Sequence, residues 1–502
     1  MESRVAAMES MSERLGVERL KLVLHPNPLR VLVRPFTPGI HMDVLGLKGD
    51  PARLRHIAQR VLALEESTAQ RALDDVLSLF AGRHRQILDV FASRFEQLRA
   101  LLGLREEPSE TKRLLLGAAF TSEYSLEASA LFNPSIVPHP DQSGLGEGEL
   151  RFVLSLRATG EGHISSIVFR SGIVDLSGNL RIDKPTRYVS EGRLSPACPF
   201  HKELFGRKLQ ELGLRDEFSE RVLKRLPDLF TDDQLAAAIE AEQPWSDEER
   251  ERRAEAVLTL AHSNCRLTFD ADTPISERVL FPVFPSQRNG IEDARFVLFQ
   301  DDDGARRYYA TFTAYDGRVI VPQLLETDDF VRFDLCTLNG PAVRDKGMAL
   351  FPRRINGLYA MLSRQDGETI RLMWSDNPHF WYESAPIVEP RESWEVVQLG
   401  NCGSPLETEA GWLVLTHGVG PMRRYCIGAV LLDRKDPSKV IGRLREPLLA
   451  PEADEREGYV PNVLYTCGAL LHGPWLILPY AVSDTATRFA RVPIARLLAA
   501  ML

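Results

Sequence analysis

The sequence of 502 residues contains six cysteines, and no two of them form a C-x-x-C pair. Disulfide-rich domains and zinc modules need clustered cysteines, so this scatter argues against both and favours reduced thiols in a cytoplasmic protein. The chain also lacks an apolar run near the roughly 20 residues that a membrane-spanning helix requires. Within its first 20 residues, Glu2, Glu9 and Glu13 interrupt the apolar core that a secretory signal would have. We therefore expect a cytoplasmic protein that has no membrane partner.

An excess of positive charge is absent as well. Lys and Arg number 61 against 70 Asp and Glu, which gives a formal net charge of -9. Nucleic acids and anionic membrane surfaces are bound by basic patches, so neither is an expected partner. Hydrophobic residues make up 44% of the chain and charged residues 26%, as in folded proteins. A chain of this length predicts two or three structural units.

Two segments show the apolar spacing of three and four residues that is typical of amphipathic helices. The first, residues 50–105, predicts a helical hairpin or small bundle, so that residues 1–110 form a mostly helical N-terminal region. The second, residues 199–262, predicts a helical insertion. Asp232 and Ser246 are its candidate N-caps, because their side-chain oxygens can accept from amides of the first helical turn.

The remaining chain repeats a glycine turn followed by an apolar strand. The turn glycines are Gly304, Gly357, Gly411 and Gly473, separated by 53, 54 and 62 residues, and an earlier copy begins at Gly148. A repeat of about 50 residues with several short strands is typical of a β-propeller, and five copies predict five blades. A β-sandwich with coincidental turn spacing is the alternative.

The predicted propeller occupies residues 111–198 and 263–502, on either side of the insertion. Equivalent strands of different blades converge on one central channel, so the residues that end them should meet there. These residues are Arg157, Thr313, Arg364, His417 and Tyr480. They predict a polar pocket of cationic character.

The segment NGIEDARF, which begins at Asn289, carries the most suggestive local pattern. In an extended strand, Asp293 and Arg295 would face one side and Glu292 the other. A carboxylate beside an arginine is commonly a surface ion pair. The apolar residues from Phe296 onward, however, indicate an inner strand, which favours a functional role.

An ordered series of motifs resembles glycoside hydrolase family 130, the five-bladed propeller enzymes that phosphorolyse or hydrolyse β-mannosides. The matching pieces include FNPSIV, NGIEDARF, KGMALFPRRINGLYAMLSR, GNCGSPLETEAGWLVLTHG and SDTATRFA. The resemblance covers residues 131–490, apart from the helical insertion. It implies a fold that is mainly β, a five-bladed β-propeller. The α-helical N-terminal region and the helical insertion are expected from the apolar spacing alone, because the family's common core does not cover them.

The resemblance also implies an inverting enzyme whose single catalytic acid is Asp293. The proton would reach the glycosidic oxygen through the 3-hydroxyl of the mannosyl unit, and a nucleophile would attack the opposite face of the sugar. In the phosphorylases this nucleophile is inorganic phosphate, a co-substrate, and the product is α-mannose 1-phosphate; no cofactor is expected. Two alternatives stay open. One is an inverting β-mannosidase, with Glu407 or Glu457 as base, and the other is a glycan-binding propeller without catalysis.

Two groups of binding residues follow from the same resemblance. The phosphate-binding residues are Lys346, Arg364, His417, Gln398 and Tyr425. Lys346 and Arg364 carry fixed positive charges, and His417 would supply a third. Gln398 stands where many phosphorylases have a lysine, and an amide can donate to phosphate but cannot neutralise it. The residues expected to bind the mannosyl unit are Asn133, Arg157, Arg295, Tyr309 and Asp484. An aromatic platform often completes a sugar site, and Tyr315 and Tyr459 are candidates.

The remaining features predict less specific roles. The sequence shows no spacing typical of a metal site, so no metal is expected, and His25, His84 and His379 are expected at the surface. The helical additions would narrow the acceptor end of the sugar cleft or form a subunit interface, which would make the protein a homo-oligomer. The expected partners are a β-mannoside oligosaccharide and phosphate, with the linkage and the acceptor sugar left open.

Overall fold

The computed structural model describes residues 10–43, 46–104, 106–196, 200–211, 213–242, 247–282, 287–315 and 320–502. Over these ranges the chain is mainly β and forms five sheets of four to six strands and three two-stranded sheets. No helix in this part of the chain is long and apolar enough to cross a membrane. Five of the six cysteines lie here and form no disulfide bond, whereas Cys198 is outside the described residues.

Apart from Arg278–Leu280 and Glu18–Leu24, the strands of the five larger sheets follow one another along the chain, sheet by sheet. The first sheet has strands Ala130–Pro138, Leu150–Thr159, Ser165–Val174, Leu180–Ile182, Ser190–Glu191 and Arg278–Leu280. The second has Arg193–Pro196, Cys265–Thr268, Ile291–Gln300, Arg306–Tyr315, Ile320–Thr327 and Arg332–Thr337. The third has Ala349–Leu350, Tyr359–Ser363, Ile370–Ser375 and Ser384–Val388. The fourth has Gln398–Asn401, Leu406–Glu407, Trp412–Val419, Tyr425–Leu432 and Val440–Arg443. The fifth has Glu18–Leu24, Leu464–Tyr465, Leu470–His472, Trp475–Val482 and Ala486–Pro493.

The repeated strands predicted from the glycine turns are strands in the structure, one in each sheet. Every one of them lies second in its sheet, next to the strand that starts the unit: Leu150–Thr159, Arg306–Tyr315, Tyr359–Ser363, Trp412–Val419 and Trp475–Val482. The 50-residue periodicity therefore corresponds to one sheet per repeat.

Hydrophobic cores connect these sheets in a closed ring. Separate clusters of buried residues lie between the first and second, second and third, third and fourth, fourth and fifth, and fifth and first sheets. Neighbouring residues of one strand point into different cores, as Ile136 packs toward the fifth sheet and Val137 toward the second. Each sheet is thus apolar on both faces, and the fold is propeller-like.

The helices fall into two groups, with a short helix near each end of the described chain. The N-terminal group comprises Ala52–Leu62, Glu66–Phe80, Ile87–Leu102 and Glu110–Ala119, and the insertion comprises Lys202–Glu211, Glu217–Arg225, Asp232–Glu240 and Asp247–His262. The end helices are Met11–Leu15 and Ile494–Met501. Helices therefore lie in both segments that the apolar spacing marks as helical. The cap of Asp232–Glu240 is Thr231 rather than Asp232, because the Thr231 hydroxyl accepts from the amide of Gln234. Ser246 lies outside the described residues.

The N-terminal region also contains strands that its apolar spacing does not predict. Glu18–Leu24 pairs antiparallel with Ala486–Pro493, so the fifth sheet joins two strands that lie far apart in sequence. Val31–Pro35 pairs with Thr121–Ser125, and Ile40–Asp43 pairs with Gly46–Gly49. In the insertion, Phe200–His201 pairs with Leu229–Phe230.

Candidate active site

Matching irregularities in the first two sheets create the centre of the site. The ladder between Ala130–Pro138 and Leu150–Thr159 shifts register after Phe132, and the ladder between Ile291–Gln300 and Arg306–Tyr315 shifts after Glu292. Asn133 and Asp293 sit in these bulges with left-handed backbones, at φ 48° and 56°. A bulge redirects a side chain. Here it brings the Asn133 amide to Asp293, where Nδ2 donates to Oδ1 over 2.6 Å.

The bulge also overturns the expectation that Glu292 faces away from Asp293. Arg157 approaches both carboxylates, with Nη2 donating to Glu292 Oε1 at 2.8 Å and Nη1 lying 3.5 Å from Asp293 Oδ1. Lys346 Nζ lies 3.8 Å from Glu292 Oε2. Regular strand alternation would have separated the two acids, but the left-handed residue at 293 breaks it. Glu292 is therefore part of the same charged group.

Arg295 is buried next to Asp293, and its side chain hydrogen-bonds to oxygens of the protein. Its side chain is 1% exposed, and its three nitrogens donate to Cys402 O at 2.7 Å, Asp293 O at 3.1 Å and the Tyr465 hydroxyl at 2.8 Å. Three of the five N–H donors of Arg295 are thus used within the protein. These bonds fix the backbone of Asp293 against the fourth and fifth sheets, and contact of Arg295 with the sugar stays a prediction.

The two aspartates of the site have opposite pKa shifts. Burial raises the pKa of Asp293, but Arg157, Arg295, Lys346 and the Asn133 hydrogen bond outweigh it and lower the pKa to about 2. Asp484 is half-buried, and burial together with the negative charge of Asp293 raises its pKa to about 6. Environments that separate the pKa values of neighbouring carboxyls are typical of acid–base sites.

The predicted phosphate residues of the third and fourth sheets are brought together. Arg364 Nη1 lies 2.9 Å from His417 Nε2, and Gln398 Nε2 lies 3.5 Å from the same nitrogen. The His417 ring stacks on Tyr425 with centroids 6.0 Å apart. Burial, and then the charges of Arg364 and Arg295, lower the pKa of His417 far below its usual range. His417 is therefore neutral, and the expected third positive charge is absent.

Two glycines allow this close packing. Gly347 has φ +91°, and a Cβ there would lie 2.6 Å from Arg364 Nε. A Cβ on Gly400 would lie 2.4 Å from His417 Cε1. The glycines of the motifs KGM and GNC are thus needed where the guanidinium and the imidazole pass over the backbone.

The structure places two predicted residues elsewhere. Tyr309 packs edge-to-face on Phe299 in the core between the second and third sheets, because it lies four positions along the strand from Thr313, the partner of Glu292. Tyr480 donates to Glu455 at 2.7 Å in the core between the fourth and fifth sheets. Neither joins the residues around Asp293.

Other residues join the site without having been predicted. Tyr465 packs on His417 with centroids 5.0 Å apart and links it to Arg295. Arg423 is exposed, lies over the Tyr425 ring and contributes to the pKa of Asp484. The candidate platform Tyr459 is 58% exposed and stacks on His163 with centroids 5.7 Å apart.

Comparison with known proteins identifies the family. The profile of glycoside hydrolase family 130, described as β-1,4-mannooligosaccharide phosphorylase, matches residues 271–501. A 1,2-β-oligomannan phosphorylase of Thermoanaerobacter sp. (strain X514) is 37% identical over 39% of this chain and 66% of its own length. A β-1,2-mannobiose phosphorylase of the same organism is 33% identical over 41% of this chain and 68% of its own. The chain belongs to glycoside hydrolase family 130.

The matches cover about two thirds of the length of these curated relatives. A solved structure of the β-1,2-mannobiose phosphorylase from Listeria innocua with β-1,2-mannobiose is 22% identical, with a TM-score of 0.45, over 75% of this chain and 93% of that chain. The region matched by the family profile includes Asp293, Lys346, Arg364 and His417. Asn133 and Arg157 lie before it, so their place in the site comes from the contacts described above.

The two carboxylates considered as hydrolytic bases differ in their surroundings. Glu407 is held by Arg353, with oxygen–nitrogen distances of 2.7 and 2.9 Å, and by Arg434 at 3.0 Å. The hydrogen bond from Arg353 lowers the pKa of Glu407, and this effect outweighs burial, which raises it. Glu457 is exposed. Glu407 is therefore tied into an ion-pair group of its own.

Proposed function

We propose that this protein phosphorolyses β-linked mannosides with inversion and releases α-mannose 1-phosphate. Asp293 acts as the acid, and phosphate binds to Lys346, Arg364, His417, Gln398 and Tyr425. The five sheets joined by the ring of cores are the blades of a five-bladed propeller, formed by residues 111–198 and 263–502. Residues 1–110 and 199–262 are helical additions, and the protein is cytoplasmic.

The strongest support for phosphate as the nucleophile is the hydrogen bonding of two cationic side chains, Arg364 and Lys346. Arg157 and Arg295 donate to carboxylates, carbonyls and a hydroxyl of the protein. The Arg364 guanidinium, in contrast, makes its one hydrogen bond within the described chain to the neutral His417. Lys346 approaches an acid only at 3.8 Å. Arg364 and Lys346 thus keep donors for a dianion, which binds most strongly to charged donors.

Phosphate binding also accounts for how Asp293 becomes an acid. With a pKa of about 2, Asp293 is a carboxylate in the unliganded protein, and Lys346 contributes to that low value. A dianion beside Lys346 offsets this positive potential, and a sugar over Asp293 removes water from it. Both changes favour the protonated carboxyl. Its proton then passes through the 3-hydroxyl of the mannosyl unit to the glycosidic oxygen while phosphate attacks the opposite face.

Hydrolysis is the second candidate function, and Asp484 is the observation that favours it. An inverting hydrolase needs a second carboxylate to deprotonate water, and a base works best with a pKa near the working pH. Asp484, with a pKa of about 6, meets that condition. In the phosphorylase proposal Asp484 instead accepts a hydrogen bond from a mannosyl hydroxyl, and Asn133 and Arg157 bind other hydroxyls.

Product analysis distinguishes these functions. The relatives reported above are named for β-1,2-linked mannosides, so β-1,2-mannobiose is the first substrate to test, followed by the β-1,3 and β-1,4 isomers. Phosphate is titrated from zero at saturating substrate, and free mannose and mannose 1-phosphate are both measured. A rate that depends on phosphate and yields mannose 1-phosphate supports phosphorolysis. A full rate without phosphate contradicts it, and no product from any isomer favours a glycan-binding propeller.

A further inference from the structure

A cavity of about 440 Å³ lies outside the candidate active site, where the second sheet meets the helix Lys202–Glu211. No residue of the proposed acid, sugar or phosphate groups lines it. Its wall contains an imidazole, a thiol and a carboxylate from three separate parts of the chain: His379, Cys336 and Glu326. Their ligand atoms all lie within 4.8 Å of one another.

Strand register places two of these side chains on one face of the second sheet. Ile320–Thr327 pairs antiparallel with Arg332–Thr337, with Leu324 opposite Cys336 and Glu326 opposite Asp334. Residues two apart on a strand share a face, so Glu326 and Cys336 are diagonal neighbours. The pairing fixes their separation without any help from a ligand.

The third side chain comes from the turn after strand Ile370–Ser375, and its backbone is held at both ends. The amide of His379 donates to Asn377 Oδ1 at 2.9 Å, and its carbonyl accepts from the amide of Asn339 at 2.9 Å. This turn directs the ring to Glu326, where Nε2 lies 3.0 Å from Oε1. His379 is therefore half-buried against the sheet, not a plain surface residue.

We propose that Glu326, Cys336 and His379 bind a divalent transition metal of the zinc class. Thiolate, imidazole and carboxylate are the ligand types that Zn²⁺ takes, and three protein ligands plus water complete a tetrahedron. Tetrahedral ligation with metal–ligand bonds of about 2.0 Å separates nitrogen and oxygen by about 3.3 Å, close to the spacing of His379 and Glu326. One thiolate and one carboxylate also neutralise the ion.

Arg307 gives Glu326 the support that a metal-binding carboxylate usually has. Its Nη1 donates to Glu326 Oε2 at 3.0 Å, while Oε1 faces His379. One oxygen is thus oriented by a neighbour and the other is directed to the metal position, as in the outer shells of known sites. On binding, the Cys336 thiol gives up its proton and coordinates as a thiolate, and the hydrogen of the neutral His379 ring moves to Nδ1 so that Nε2 coordinates; one proton is released to solvent.

The metal would join the second sheet to the turn of the third sheet. The three ligands are spaced by ten and 43 residues in sequence, which is not a pattern of zinc modules. Pairing of two strands and one fixed turn bring them together. The expected role is structural, and it does not depend on the proposed phosphorylase activity.

Metal binding can be measured on the full-length protein after treatment with a chelator. We expect about one Zn²⁺ per chain, a higher melting temperature with zinc, and thiolate-to-cobalt charge-transfer absorption when Co²⁺ is added. Cys336→Ser should abolish that absorption, and His379→Gln should weaken zinc binding by more than about tenfold. Cys426→Ala, which removes a buried cysteine outside the cavity, is the control and should keep both signals.

The proposal is overturned if zinc leaves the melting temperature unchanged and binds at less than a tenth of an equivalent. It is also overturned if Cys336→Ser and the parent give the same cobalt spectrum. Circular dichroism confirms that each variant is folded. Should Cys336→Ser fail to fold, His379→Gln decides alone: unchanged zinc affinity in that variant excludes the site.

Discussion

Asn133 and Asp293 occupy equivalent bulges of adjacent sheets, and a 2.6 Å hydrogen bond between their side chains joins the sheets at the proposed acid. The bond holds one carboxylate oxygen of Asp293 in place. It also helps to keep the pKa low in the unliganded state. The acid is thus positioned by the first sheet as much as by its own strand.

Asp293→Asn should reduce turnover by at least 10²- to 10⁴-fold, the usual contribution of general acid catalysis, because an amide cannot supply the proton. It should also lower the free energy of unfolding at neutral pH, since Arg157, Arg295 and Lys346 lose their shared counter-charge. Steady-state kinetics and denaturant titration measure the two effects. Asp301→Asn, at the ion pair with Arg354, is the matched control and should retain activity. Near-normal turnover of Asp293→Asn would show that another group is the acid.

Glu292→Gln should lower kcat/KM by about tenfold, because Arg157 loses a 2.8 Å charged partner and shifts relative to Asp293. A smaller change is expected in the affinity for phosphate, although Lys346 also loses a neighbouring charge. Kinetics with each substrate varied in turn separate the two effects. Wild-type values in both would mean that Glu292 does not position Arg157.

Asp484→Asn should stabilise the protein above pH 6. Because the folded-state pKa of Asp484 is raised to about 6, the folded state prefers the protonated form. That preference stabilises the wild type below about pH 4 and is lost as the pH rises to about 6. The variant avoids this loss, which is up to about 3 kcal/mol for a shift of about two units. Denaturant titrations at pH 4 and pH 7.5 should show a gain only at the higher pH. An equal gain at both values would contradict the assigned shift.

Gln398→Lys should lower the KM for phosphate by about tenfold, because a second charge beside Arg364 and His417 strengthens a charge-assisted contact. Without phosphate the added lysine repels Arg364, so the melting temperature should fall and then rise more steeply with phosphate than in the parent. Gln398→Met, which adds no charge, is the control. If the lysine leaves the phosphate dependence unchanged, residue 398 does not contact phosphate.

The sequence predicts the sheets well because each repeat carries its own turn and strand, and local pattern is enough for these elements. Asp293, the proposed acid, and the Arg364–His417 pair are recoverable from motifs. The position of Glu292 is not, since a single left-handed residue reverses strand alternation. Tyr309 shows the complementary limit: the family resemblance implies a contact with the sugar, but the position of Tyr309 along its strand places it in a core. Glu326, Cys336 and His379 are joined only by tertiary structure.

Strand Glu18–Leu24 has a consequence for how the molecule is made. Its partner strand lies 473 residues later for the pair Glu18 and Arg491. A ribosome therefore synthesises 473 residues after Glu18 to reach its partner Arg491, and the fifth sheet stays open during that time. Closing so long a loop is slow. A circular permutant that begins after Leu24 and carries residues 10–24 behind the last helix would make this pairing local, and we expect it to refold faster.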